Sequence, residues 1–227
     1  MPLNRVQFDS NNNVNVVGGL TAPNLVARQG TAGPIDLSSS PSVLGTGMDL
    51  ITPASIGGDG LLSLSGGNIA FQSSKIINVN KSFSSLYDNY KIILNVNGAP
   101  GYGNINLRLR SAGTDISSST YSYSQIYFTS IVGGTRTLLT TSLVVGYAIG
   151  TPNIGTNFVI DMCSPFINQA TSYNSLGGYA DIAGTNIEVD HYYGTQLSTT
   201  SFDGFTLYTD NARAMNGSLR IYGYRNQ

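Results

Sequence analysis

Reactive side chains are scarce in this sequence. Its 227 residues include one cysteine, one histidine and no tryptophan. A single cysteine excludes an intrachain disulfide, and we expect Cys163 to be a small buried residue of a protein that folds in a reducing compartment. A zinc site takes three or four Cys, His or carboxylate ligands, and one Cys and one His far apart in sequence do not supply them. We therefore expect no metal and no cofactor.

Charged residues are sparse as well. They make up 10% of the chain, against about a quarter of an ordinary globular protein, and leave a net charge of −1. The arginines form no basic stripe, so we expect no nucleic-acid binding, and we place Arg108 and Arg110 on the solvated face of a strand. The chain has neither an apolar run of about 18 residues nor a secretory signal pattern, so we expect no membrane insertion. Such a neutral polar surface suits a protein that works within an assembly.

Catalytic groupings are also missing. Any mechanism based on histidine must use His191 in "EVDHYY", where a strand with polar side chains facing solvent explains Glu188, Asp190 and His191 without chemistry. The glycine cluster Gly98–Asn104 lacks the following Lys-Ser or Lys-Thr and the helix of a phosphate loop, so it is interpreted as a hairpin loop. We expect no catalytic residues and no enzyme activity.

Aromatic residues divide the chain into two regions. None occurs between Phe8 and Phe71, so residues 1–68 lack the large side chains of an independent core. Glycine and proline interrupt short apolar bursts there, which predicts an extended N-terminal arm that becomes ordered on neighbouring chains. Six apolar residues are expected to bind the partner: Val14, Val16, Leu25, Val26, Ile35 and Leu37. The alternative is that they pack back on the rest of the chain.

Residues 69–227 show strand after strand. Tyr90, Ile92, Leu94 and Val96 line one face of a strand, and other segments repeat this period of two between glycine, proline and asparagine joints. One of them, residues 137–149, is predicted as a single strand, and the segment "SLRIYGY" is predicted as an interior strand. The pattern predicts an all-β fold, an antiparallel β-sandwich of eight or more strands, with almost no helix.

Tyrosine is the one abundant residue type with functional potential. Tyr121, Tyr123, Tyr192 and Tyr193 could stack on a sugar or anchor a protein interface, since an exposed tyrosine ring offers a large contact area at little entropic cost. The alternative is that these rings fill the core and rim of the sandwich. The alternation of residues does not decide between the two.

Two motifs carry a family resemblance. The segment "FSSLYDNYKIIL" (Phe83–Leu94) and the closing "LRIYGY" (Leu219–Tyr224) resemble the start and end of the C-terminal β-domain of tailed-bacteriophage virion proteins, over residues 69–227. The upstream "NVNVVGGLTAPNLVARQG" is similar to glycine-punctuated segments that precede such domains in fibres and head-decorating proteins. The resemblance implies a homotrimer of jelly-roll-like domains on a particle surface.

The resemblance leads to an expected function and two alternatives. The expectation is a capsid decoration, or cement, protein that is made in the host cytoplasm and located on the virion surface. Its arm would bind the major capsid protein or another virion protein. The first alternative is a short tail or head fibre whose tip binds a host glycan. The second is a polysaccharide depolymerase, for which Glu188 and Asp190 form the only dense acidic neighbourhood.

Overall fold

The computed structural model describes residues 5–8, 14–17, 47–97, 103–128, 132–148, 155–180, 187–210 and 213–225. These residues form eighteen strands and no helix. The chain divides into two units, Met1–Gly47 and Met48–Gln227.

The first unit contains a β-hairpin. Strand β1 (Arg5–Phe8) pairs antiparallel with β2 (Val14–Val17), with Phe8 opposite Val14. Val14 and Val16, predicted to lie in an extended arm, thus belong to a paired strand. Valine, branched at Cβ, favours this conformation. The other predicted partner-binding residues, Leu25, Val26, Ile35 and Leu37, lie outside the described residues.

The second unit, here called the body, is an antiparallel β-sandwich of two sheets, as the sequence predicts. The large sheet has ten strands: β3 (Met48–Ile51), β5 (Leu61–Ser65), β6 (Asn68–Ser74), β8 (Asn89–Asn97), β11 (Tyr121–Phe128), β12 (Val132–Thr140), β14 (Gly155–Cys163), β15 (Thr171–Ala180), β16 (Ile187–Gln196) and β18 (Met215–Tyr224). The small sheet has six: β4 (Ser55–Gly58), β7 (Ile76–Asn80), β9 (Gly103–Ser111), β10 (Thr114–Asp115), β13 (Leu143–Ala148) and β17 (Gly204–Thr209).

Each sheet brings together strands that are far apart in the sequence. The large sheet runs β12-β11-β16-β15-β14-β8-β18-β6-β5, with β3 also paired to β18. The small sheet runs β10-β9-β17-β7-β4, with β13 also paired to β9. Strand β18 therefore lies between β8 and β6, which confirms the prediction that "SLRIYGY" forms an interior strand.

The body begins earlier than the sequence indicates. Strands β3, β4 and β5 lie inside the predicted arm, yet they pair with β18, β7 and β6. The hairpin from β5 to β6 turns at Gly66 and Gly67, whose φ angles of 54° and 78° are the positive values that a two-residue hairpin turn requires. The predicted boundary at residue 69 is thus wrong, because short strands at sheet edges need no aromatic core of their own.

The core consists of the inward-facing residues of both sheets. On β8 the alternation predicted from the sequence is confirmed, since Tyr90, Ile92, Leu94 and Val96 are all buried. On β9 the buried apolar residues are Ile105, Leu107 and Leu109, again as predicted.

Two connections differ from the sequence prediction because the chain changes sheets. Strand β8 pairs with β14 and β18, whereas β9 pairs with β10, β13 and β17. The predicted hairpin of β8 and β9 is therefore wrong, and residues 98–102 of the segment Gly98–Asn104 lie outside the described residues. Residues 137–149, predicted as one strand, contain the end of β12 in the large sheet and all of β13 in the small one.

Strand β13 is held closely against the large sheet around Phe158. A Cβ atom at Gly146 would lie 2.4 Å from the Phe158 ring, and one at Gly177 would lie 2.1 Å from it. The ring thus occupies the volume of two absent side chains, one from each sheet. Nearby, Tyr173 donates a hydrogen bond to the carbonyl of Val144 (2.6 Å), beside the register shift in β13.

Candidate functional site

The outer face of the large sheet carries an exposed apolar surface, here called the apolar patch. Its members are apolar or aromatic side chains of β11, β12, β14, β15 and β16 that point away from the small sheet and are more than one third exposed: Ile126, Phe128, Val132, Val159, Leu176, Val189 and Tyr193. Leu176 is 53% exposed and Val132 71%. Their surface adds up to on the order of 600 Å², the upper end of what a typical monomer exposes in one patch.

Strand register makes the apolar patch continuous. Ile126 on β11 lies opposite His191 on β16, and His191 lies opposite Leu176 on β15. Leu176 in turn lies opposite Val159 on β14. One row further along the strands, Phe128 lies between Val132 and Val189. Such directly opposed side chains touch across neighbouring strands, so the patch extends over five strands.

Polar groups within and beside the apolar patch are paired with each other. His191 Nε2 lies 2.5 Å from Asn174 Oδ1, on the same outer face. Lys91 and Asp161 form an ion pair of 2.7 Å at the border, and Tyr224 donates a hydrogen bond to the same carboxylate. These pairs leave the patch close to electrically neutral.

The outer face of the small sheet is built differently. Arg110, only 8% exposed, donates hydrogen bonds to Asn78 Oδ1 and Asn80 Oδ1 (both 3.0 Å) and to Thr206 (2.7 Å). It also forms an ion pair with Asp115 and donates to the Gly113 carbonyl. The prediction that Arg110 is solvated is wrong, because polar side chains from three neighbouring strands enclose its guanidinium.

Arg108 belongs to the same face. Its guanidinium stacks over the Tyr208 ring at 4.6 Å and donates a hydrogen bond to the Thr141 carbonyl. The small sheet thus presents a hydrogen-bonded polar surface, whereas the large sheet presents the apolar patch.

The four tyrosines selected from the sequence separate into two groups. Tyr121 and Tyr192 are fully buried, so neither ring can stack on a sugar, and both belong to the core. Burial raises the pKa of Tyr121, whose hydroxyl donates to the Ile116 carbonyl. Tyr123 is partly buried beside the core, and Tyr193 is 55% exposed on the apolar patch. Only Tyr193 presents most of its ring to a partner.

Asp190 faces the interior, which contradicts the solvent-facing prediction. It shares the inner face of β16 with Tyr192 and Gln196, while His191 points the other way. Burial raises the pKa of Asp190 to about 6, although a hydrogen bond from Gln125 (2.8 Å) opposes the shift. A buried carboxyl and a histidine on opposite faces cannot act together on one substrate. Glu188, two residues earlier on β16, interacts with Asp190 and adds to the rise of its pKa, so the depolymerase alternative stays a prediction.

The raised pKa of Asp190 predicts that the stability of the body depends on pH. Because the pKa of Asp190 in the folded protein exceeds its ordinary value of 3.8, the folded state holds the proton more tightly, and stability falls as pH rises from about 4 to about 6. The isosteric Asp190→Asn should raise the free energy of unfolding at pH 7.5 by about 1–2 kcal/mol, after allowing for solvent screening. Urea unfolding of both proteins at pH 4 and pH 7.5 checks this, and an equal difference at the two pH values would contradict it.

A cleft of about 480 Å³ opens on the body beside the turn before β8. Serine, aromatic, aliphatic and carboxylate or amide side chains line it: Ser84, Ser85, Tyr87, Asp88, Phe166, Ile167, Asn168 and Ser201. Aromatic faces next to carboxylate and amide groups are the chemistry that neutral sugars bind. No pattern in the sequence predicts this cleft, since its lining residues come from three separate loops.

The two motifs of the family resemblance meet beside this cleft. Tyr90 lies opposite Gly223, and the Tyr87 ring covers Gly223 so closely that a Cβ there would lie 2.4 Å from it. Tyr87 also donates a hydrogen bond to Asp49 (2.9 Å) on β3. The tyrosine of one motif and the glycine of the other are therefore required by a single packing contact.

Cys163 is exposed, which contradicts its prediction as a buried residue. It ends β14 directly after the buried Met162, so strand alternation turns it outward. Among the described residues, no three His, Cys, Asp or Glu side chains lie close enough to hold a metal ion. The same part of the chain contains no apolar helix of membrane-spanning length.

Comparison with known proteins gives no further assignment. No protein-family model matches the chain. A sequence search of curated proteins also finds no match.

Proposed function

We propose that this chain is a structural protein of a bacteriophage particle, a homotrimeric capsid decoration protein. The body forms an exterior knob, and the N-terminal segment attaches it to the major capsid protein or another virion protein. The apolar patch is the observation that carries the proposal, because it lies on a body that already has a complete core. Such a surface costs solubility unless a partner covers it.

Other features of the chain support the same function. The low charge and the neutral polar surface suit a protein held in an assembly, and the residue pair Tyr87 and Gly223 gives the two virion-like motifs a common structural role. Three linked attachment segments would raise the effective concentration at the shell, so that individually weak contacts become durable.

Deleting residues 1–40 tests the attachment role. Every described core residue lies between Ile69 and Ile221, so the truncated protein should keep its melting temperature within a few degrees. It should lose binding to purified particles, measured by co-sedimentation beside the full-length chain. Unchanged co-sedimentation would contradict attachment through this segment. Mass spectrometry of particles from a phage that encodes this chain tests the virion assignment itself, which fails if the chain is absent from them.

The cleft favours one second candidate, a fibre protein that binds a host surface glycan. It places Tyr87 and Phe166 beside Asp88 and Asn168, which offers both an aromatic face and polar groups to a sugar. A glycan array probed with the full-length protein distinguishes the two functions. A decoration protein should bind none of the glycans, whereas a fibre should bind at least one.

A further inference from the structure

The apolar patch lies where the two sheets differ in width. The large sheet has ten strands and the small sheet six, and β13 packs across β15 and β16 near one end of the large sheet. Strand β12 lies beyond it as an edge strand, and within the described part of the chain it pairs with β11 alone. On β12, Val132, Leu138 and Leu139 are all more than half exposed. A long edge strand with exposed aliphatic side chains invites another chain to cover it.

The charges around the patch fit an identical partner. Two copies of one surface meet without repulsion only if that surface carries little net charge. Lys91 is paired with Asp161, so these two charges compensate each other, and His191 is hydrogen-bonded to the uncharged Asn174. Arg136 is an exposed charge on β12 at the rim. One rim arginine is too little for a phosphate backbone, which excludes a nucleic acid as the occupant.

The size of the patch fits as well. A stable protein interface buries about 800 Å² on each partner, and the apolar patch alone offers on the order of 600 Å² before its polar rim is counted. The contrast with the small sheet shows that this chain can build a polar outer face, as it does around Arg110 and Arg108. The apolar character of the large sheet is therefore specific to that face.

We propose that a second copy of this chain packs on the apolar patch, so that the outer faces of the large sheets meet in the oligomer. Leu176, Ile126 and Phe128 form the centre of the contact, around the His191–Asn174 pair. The inference rests on the proposed function only for the number of copies, which is three if the chain is a homotrimeric knob.

The test measures self-association of the full-length protein by analytical ultracentrifugation. The wild type should sediment as an oligomer, and Leu176→Glu should sediment as a monomer or associate at least about tenfold more weakly. The matched control is Leu61→Glu. It places the same charge on the same outer face of the large sheet, but on β5 and outside the apolar patch, at a leucine that is 70% exposed. It should associate like the wild type. Circular dichroism checks that each variant is folded.

Every other result contradicts either the inference or the proposed function, and the measurements distinguish the two. A monomeric wild type, or equal association of wild type and Leu176→Glu, overturns the inference. If Leu176→Glu does not fold, Leu176→Ala carries the test with an expected weakening of about tenfold. If Leu176→Glu stays oligomeric but no longer co-sediments with particles, the patch binds the particle, and the inference fails while the proposed function stands. If association is lost and the wild type is a dimer, the interface stands and the trimer fails.

The remaining alternative is that the chain's own N-terminal segment covers the apolar patch. In that case the full-length protein would be monomeric, and amides of β11 and β16 would exchange faster after deletion of residues 1–40. That outcome would also overturn the second copy as the occupant.

Discussion

Phe158→Ala should lower the free energy of unfolding of the body by about 3–5 kcal/mol. The Phe158 side chain is fully buried, and its ring fills the space above two glycines, Gly146 of the small sheet and Gly177 of the large one. Removing the ring leaves a cavity that neither sheet can close, because there is no side chain on either glycine to move into it. Urea unfolding at one low protein concentration measures the change, and a loss below about 1 kcal/mol would show that the site collapses.

The two glycines provide an internal control for this result. Gly146→Ala alone should destabilise the body by about 1–3 kcal/mol, since the nearest atoms to its Cβ belong only to the Phe158 ring. In the Phe158→Ala background the same change should be neutral or stabilising. Gly177→Ala should stay destabilising in both backgrounds, because its Cβ would also lie 2.5 Å from the backbone oxygen of Asn157. An equal effect of Gly146→Ala in both backgrounds would contradict this packing.

Arg110→Met should cost about 2–4 kcal/mol of unfolding free energy, the second large effect. The guanidinium supplies hydrogen bonds to Asn78, Asn80 and Thr206 and is the ion-pair partner of Asp115. Methionine has a similar volume but no hydrogen-bond donor. The three acceptors therefore lose a hydrogen bond, and the Asp115 carboxylate loses its ion pair. The figure lies below the cost of breaking a fully buried pair because the Asp115 side chain is 27% exposed.

Two further variants distinguish the charge network from general packing. Arg108→Met removes a neighbouring arginine of the same face, which stacks on Tyr208, and should cost only about 1 kcal/mol. Adding Asp115→Leu to Arg110→Met should recover part of the loss, since no carboxylate is then left without its partner. Thermal and urea unfolding measure the free energy of unfolding of the wild type, the two single variants and the double variant. A double variant less stable than Arg110→Met would contradict the role of this ion pair.

Much of the sandwich was predictable because its strands alternate cleanly. On β8 every second residue from Tyr90 to Val96 is apolar, and all four are buried. The expected scarcity of helix follows from the same alternation, and the described residues contain no helix. Alternation does not identify the strand with which each strand pairs, so the sequence predicts a hairpin of β8 and β9 although they belong to different sheets.

Single residues were harder to place than strands. Cys163 and Asp190 were assigned from their chemistry, cysteine to the inside and aspartate to the outside, and strand parity reverses both. Met162 faces inward, so its neighbour cannot, and Asp190 shares the face of Tyr192. The period of two outweighs residue preference, because turning one side chain over would displace every other side chain of the strand.

The apolar patch was not predicted for a different reason. Ile126 and Phe128 alternate with Gln125 and Tyr127, a pattern that on its own predicts Ile126 and Phe128 to be the buried ones. In the structure they are the exposed ones, and Tyr127 packs over Gly133 on the inner face. Which face is inside depends on the position of the small sheet, and no local pattern encodes it. The cleft was missed likewise, since its residues are far apart in sequence.

The central place of β18 has a consequence for biosynthesis. This strand completes hydrogen bonding for β8, β6 and β3, and its residues are translated after all the other strands described. A nascent polypeptide on the ribosome therefore holds open edges on β8 and β6 until Met215–Tyr224 emerges. During that interval the two open edges can pair with strands of other chains, which makes the incomplete sheet prone to aggregation.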